Sequence, residues 1–261
     1  MKAMKKSITI GNYVEQDIVP YTENQLKYWK SGIRGKRVNH STIIQQKANE
    51  KHAQRHFVQL INGNFENDDY FVTCTYSGEA PELEDIKKDM RNYLKRLKAL
   101  YKKNNIEFKY LAVIETGKRR KRPHFHAVIP KGVSAENIKM KWERGVCEVR
   151  TLYGGGDGGN GFEKLAKYLT KKRQMSSKRW WGSQNIKQPT IKRIFESVSK
   201  AAYNAIISAV ICREYRELAK IAADFFGKDY NLIDCETAAN PVMQGLNIYF
   251  KLWKREAPLL E

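Results

Sequence analysis

The chain has little of what marks a secreted or membrane-bound protein. Its four cysteines, Cys74, Cys147, Cys212 and Cys235, form no C-x-x-C pair, so neither a zinc ribbon nor a disulfide framework is expected. Apolar runs are short: the most apolar window, 201–212, falls far below the ~20 residues that span a bilayer. The basic N-terminus is followed by no apolar stretch of the signal-peptide kind. A cytoplasmic location without a membrane partner is the expectation. The G-x-x-x-x-G-K-[ST] phosphate loop is missing, which excludes a motor of that type. Acidic residues are scarce too, 28 against 48 Lys and Arg, leaving a net charge of +20. From Ile191 onward basic and acidic residues nearly balance, 10 against 9, so the excess lies in residues 1–190. A field of that sign attracts polyanions, nucleic acid above all, with binding that weakens as salt rises.

A length of 261 residues accommodates one well-buried domain with extensions. The pattern divides into a basic, partly helical N-terminal extension (1–66), a core (67–178) and a helical C-terminal extension (179–261). Residues 1–40 show weak periodicity and receive no assignment. Ser41 is positioned to cap a helix over 41–62, stopped by Gly63, with Ile44, Ala48, Phe57, Leu60 and Ile61 as packing positions. His52 and His56 stand four apart on it, but no Glu follows as in H-E-x-x-H, and a solvated face is the preferred reading.

In the core the periodicities alternate. YFVTCTY at 70–76 reads as a strand. Leu83, Ile86, Met90, Tyr93, Leu94, Leu97, Leu100 and Tyr101 give 82–103 the stripe of an amphipathic helix. Strands follow at 108–115 and 124–130, then a short helix capped by Ser134, a strand at 146–152, a glycine-rich stretch at 154–161, and a helix over 162–173. Strand, helix, strand, strand, helix, strand, helix is an α+β arrangement, the ferredoxin-like (RRM-like) split βαβ antiparallel sheet with helices on one face and one helix added. Its third strand lies between the first and second. From Thr190 onward the spacing of Ile194, Val198, Ala202, Ala205, Ile206 and Ala209 predicts two helices ending at Gly227.

Chemistry concentrates on the third strand and the last core helix. His124 and His126, two apart, project from the same face of their strand. Glu115 ends the preceding strand of the same hairpin and supplies a third ligand. A carboxylate with two imidazoles and open positions suits Mg²⁺ or Mn²⁺ bound to a phosphate oxygen. On the helix after the glycines, Phe162, Leu165, Ala166 and Leu169 form the apolar face, while Lys164, Tyr168, Lys171 and Lys172 gather opposite. A tyrosine is thus presented among cations that ease its ionisation, and a phenolate can attack a DNA phosphorus.

Three ordered motifs, Phe71-Val72-Thr73-Cys74-Thr75-Tyr76, His124-Phe125-His126 and Tyr168-Leu169-Thr170-Lys171, give residues 40–190 a resemblance to the HUH endonuclease superfamily. Within it they are similar to the single-tyrosine rolling-circle replication initiators of bacterial plasmids and small phages. The resemblance implies a metal-dependent nickase for single-stranded origin DNA that leaves a 5′-phosphotyrosine and a free 3′-OH and later rejoins strands. It implies Glu115, His124 and His126 as metal ligands, Tyr168 as nucleophile and Lys171 on the DNA phosphate. Lys172 stands where two-tyrosine initiators carry their second tyrosine. Without a motor, a host helicase has to unwind the duplex, and a host polymerase extends the 3′ end. The basic turn with Arg119, Arg120 and Arg122, together with Arg179, Trp180, Lys164 and Lys172, supplies candidate DNA contacts. A transposase or relaxase of the same chemistry and a non-catalytic nucleic-acid-binding module are the alternatives.

Overall fold

The computed structural model describes residues 1–31, 43–79, 81–116, 122–154, 161–170, 178–240 and 245–255. The fold is α+β, and the chain divides into two units, one built from Met1–Lys51 and Gln188–Glu261, the other from His52–Gly155 and Gly161–Lys187.

In the first unit, β1 (Lys2–Ile10) and β2 (Tyr13–Pro20) form a hairpin. The two-residue turn begins at Gly11 with φ +57, a conformation that tight hairpins require and glycine adopts without strain. α1 (Glu23–Ser31) follows, then the long α2 (Ile43–Asn64), whose portion from His52 on belongs to the second unit.

The second unit continues with β3 (Tyr70–Tyr76), α3 (Leu83–Lys103), β4 (Leu111–Thr116), β5 (Pro123–Ile129) and α4 (Ala135–Met140). It ends with β6 (Gly145–Thr151), α5 (Glu163–Leu169) and the two-residue β7 (Trp181–Gly182). Its antiparallel sheet runs β6-β3-β5-β4-β7, so the third core strand lies between the first and second, as the split βαβ reading expects. Ser134 caps α4 by accepting from the Asn137 N–H. α3 buries Ile86, Met90, Tyr93, Leu94, Leu97 and Tyr101 in one core with Val72, Cys74, Ala112, Ile114, Phe125 and Ala127 of the sheet. Because side chains alternate along a strand, that packing sends Thr73, Thr75, Glu115, His124 and His126 to the opposite face.

The remaining elements return to the first unit: β8 (Thr190–Ser197), α6 (Lys200–Ile211), α7 (Tyr215–Phe226), β9 (Tyr230–Ala239) and β10 (Leu246–Lys254). Its antiparallel sheet runs β8-β1-β2-β10-β9, and Ala3, Val14, Ile18, Ile248, Phe250 and Leu252 share a core with Tyr203, Ile206, Leu218 and Ala222 of the two helices. This corrects the expectation of a purely helical tail. α6, α7 and the stop at Gly227 are there, but 190–197 is a strand, with Lys2 opposite Ser197 and Thr9 opposite Thr190. The helical spacing of Ile194 and Val198 is coincidental, and pairing with a distant strand overrides it. α2 runs one residue beyond Gly63. Phe57, Leu60 and Ile61 on it are buried and Ala48 is exposed, while Ser41 lies outside the described residues. No described helix is long and apolar enough to cross a membrane.

Candidate metal centre and its tyrosine

Strand pairing assembles the centre. Glu115 on β4 lies directly opposite His124 on β5, and Thr73 on β3 lies opposite His126. One carboxylate oxygen, Glu115 Oε1, accepts from His124 Nε2 at 2.8 Å and from His126 Nε2 at 3.1 Å. The far side of each imidazole is also held. His126 Nδ1 is 2.9 Å from Thr73 Oγ1, and His124 Nδ1 is 3.3 Å from the Arg122 carbonyl. Phe71 stacks flat on His126, with centroids 5.0 Å apart and planes at 17°. Glu115 is 4% and His126 3% exposed, so the cluster is largely removed from water.

Burial alone pushes the Glu115 carboxyl up, but the bonds from His124 and His126 overcome it and hold the group at about 2. Burial pulls the His126 imidazole below its ordinary value against the opposing pull of Glu115. The carboxylate is therefore ionised across the neutral range, and the buried ring favours its neutral form, the form that donates a lone pair.

The donor set fits a divalent cation. Among the described residues Glu115, His124 and His126 can each offer one ligand atom, all within 4.8 Å of one another. The Thr73 hydroxyl, which can donate or accept, pairs with His126 Nδ1, and the Arg122 carbonyl faces His124 Nδ1, which fixes the rings with Nε2 toward the carboxylate. Such outer partners are what orient ligating imidazoles.

α5 brings Tyr168 to the same place. Its hydroxyl donates to Glu115 Oε1 at 3.4 Å, and its ring centroid lies 5.7 Å from that of His126. The residue remains 38% exposed, so an incoming substrate can reach it. Tyr101, by contrast, is fully buried and donates to the Pro130 carbonyl, while Tyr153 is exposed. Lys164 is exposed one turn before Tyr168, and Arg122 is exposed beside the histidine strand. Trp180 is half-buried, packed 5.1 Å from Phe57 and 6.0 Å from His56, with Arg179 half-buried next to it. His52 is exposed. Lys171, Lys172, Arg119 and Arg120 lie outside the described residues.

Sequence reasoning does not single out Thr73 and Phe71 individually. Alternation in YFVTCTY places both on one face, but that they meet His126 depends on the β3–β5 register, which the sequence leaves open.

Residues 69–173 match the family described as replication-associated protein ORF2. That stretch contains the whole triad and Tyr168. No curated protein and no solved structure matches the chain.

Proposed function

We propose that the chain initiates rolling-circle replication as a metal-dependent HUH nickase and strand transferase acting on single-stranded origin DNA. The observation that carries this reading is the convergence of both imidazoles and the Tyr168 hydroxyl on Glu115 Oε1. Similarity to a replication-associated family over residues 69–173 and the net charge of +20 support it. The core 67–178 carries the reaction.

Glu115, His124 and His126 hold Mg²⁺ or Mn²⁺, whose Lewis acidity, when bound, withdraws charge from a non-bridging oxygen of the scissile phosphate. The Tyr168 phenolate oxygen forms a bond to phosphorus as the bond from phosphorus to the 3′ oxygen breaks. That oxygen takes up a proton and leaves as a free 3′-OH, and the 5′ phosphate stays on Tyr168. In the reverse step a 3′-OH attacks the phosphotyrosine and restores the phenol. Lys171 offsets charge on the phosphate. Lys164, Lys172, Arg119, Arg120, Arg122, Arg179 and Trp180 steer and seat the strand. Unwinding and extension fall to a host helicase and polymerase in the cytoplasm.

Mass spectrometry after incubation with single-stranded candidate origin oligonucleotides and Mn²⁺ tests the reading. An adduct mapping to Tyr168, lost in Tyr168→Phe and in chelator, is expected. An adduct that survives Tyr168→Phe removes that residue as nucleophile. Chelator-insensitive binding with no adduct identifies a binding module instead.

A further inference from the structure

Tyr168 stands on a seven-residue helix, and isolated helices under about 12 residues are marginal in water. Docking therefore decides where α5 sits. α2 holds it at both ends. At the N-terminal end, Asn62 Oδ1 accepts from the Phe162 backbone N–H at 2.9 Å, one of the donors a helix start leaves unpaired. The Asn62 amide is oriented by donating from Nδ2 to the Val58 carbonyl at 3.1 Å. Approach is close enough that a Cβ on Gly161, itself at φ +55, would lie 2.5 Å from Asn62 Oδ1. Glycine meets both demands. At the C-terminal end, Gln54 Nε2 donates to Thr170 Oγ1 at 3.1 Å, and that hydroxyl donates to the Ala166 carbonyl at 2.8 Å.

The two contacts are in register. Gln54 and Asn62 stand eight positions apart on α2, as do Phe162 and Thr170 across α5, about 12 Å of rise in each case. The segments therefore run antiparallel, joined at matching ends, with Ala166, fully buried, midway along α5. One contact alone would let so short a helix pivot. Two fix both its height and its tilt.

We infer that Asn62 and Gln54 are positioning residues that set α5 over the sheet and thereby hold the Tyr168 hydroxyl beside Glu115. The functional weight of this placement rests on the role proposed for Tyr168, and its geometry does not.

The test uses full-length Gln54→Leu, Asn62→Ala and Gln54→Glu. Two quantities are read: the nuclear Overhauser contact between the Tyr168 and His126 rings, which needs no metal or DNA, and the single-turnover rate of adduct formation at saturating oligonucleotide. Gln54→Leu and Asn62→Ala are expected to lose the ring contact and to slow adduct formation about ten-fold or more, since misplacement by about 1 Å can cost still more. Oligonucleotide affinity by anisotropy should stay within about two-fold. Gln54→Glu, whose carboxylate can accept from the Thr170 hydroxyl once that hydroxyl turns away from the Ala166 carbonyl, should restore both readouts. An intact ring contact in Gln54→Leu overturns the inference, as does a parallel fall in rate, affinity and melting temperature, which marks a purely structural role. If buried Asn62→Ala does not fold, the half-buried Gln54 decides the matter. Loss of the ring contact in variants of a wild type that forms no adduct leaves the positioning standing and removes the nickase reading.

Discussion

Both units are built on five-stranded antiparallel sheets and both hold carboxylates against other side chains, yet they partner them differently. In the first, the Lys251 ammonium bridges Asp234 at 3.1 Å and Glu236 at 3.0 Å, Lys6 lies 3.9 Å from Asp17, and the Tyr13 hydroxyl donates to Glu15 at 2.9 Å. In the second, Glu115 faces two imidazoles. An ammonium keeps its proton across the physiological range, so the first arrangement is a fixed pairing of opposite charges. An imidazole can give up its proton, so the second can exchange hydrogen for a cation. The same acid is a structural device in one sheet and a candidate ligand in the other, and its partner makes the difference.

Substitution in each sheet gives the sharpest break of that comparison. Glu115→Gln and His126→Ala are each expected to weaken Mn²⁺ binding by about 100-fold or more, read by calorimetry, because each removes a proposed ligand. Lys251→Met should leave it within about two-fold. Equal loss from both sheets would erase the distinction. Thr73→Val tests the outer support. It keeps the shape and removes the partner of His126 Nδ1, and a roughly ten-fold loss of Mn²⁺ affinity is expected.

The smallest effect is a pH dependence of stability without metal. The folded Glu115 carboxyl titrates at about 2, below the ~4.3 of an unfolded chain. Its contribution to stability is therefore complete above about pH 4.3 and is lost as pH falls toward 2. The urea midpoint of Glu115→Gln should lie below that of wild type at neutral pH, with the gap narrowing by about pH 3. A constant gap would mean that the carboxylate charge contributes nothing to holding the rings.

The second unit is the more legible from sequence because its signals are local. β3 matches the 70–76 strand, α3 starts one residue after the expected 82, and Ser134 caps as its type suggests. The pattern starts β4 three residues too early, since Phe108 and Tyr110 look like strand residues but precede the pairing. The first unit is largely hidden. β1 pairs with β8 and β2 with β10 across most of the chain length, and no local window contains such pairing. One local clue is present, the Gly11-Asn12 turn between ITI and YVE, a hairpin signal. In the site, spacing and chemistry single out Glu115, His124, His126 and Tyr168 as candidates, and the fold brings the four together. They do not reach Thr73, Asn62 and Gln54, because a hydroxyl or amide acquires its role only when register or helix docking supplies a partner.

The ring of His124 lies between the Arg122 carbonyl and the Glu115 carboxylate, and neither of those oxygens can donate. A hydrogen or a cation has to stand between Nε2 and the carboxylate, and a cation there takes the hydrogen's place. Ion uptake at the proposed site is then also a release of acid. Titrating Mn²⁺ in Tris and in PIPES should give apparent heats that differ in proportion to the ionisation enthalpies of the two buffers, and the slope counts the protons that leave.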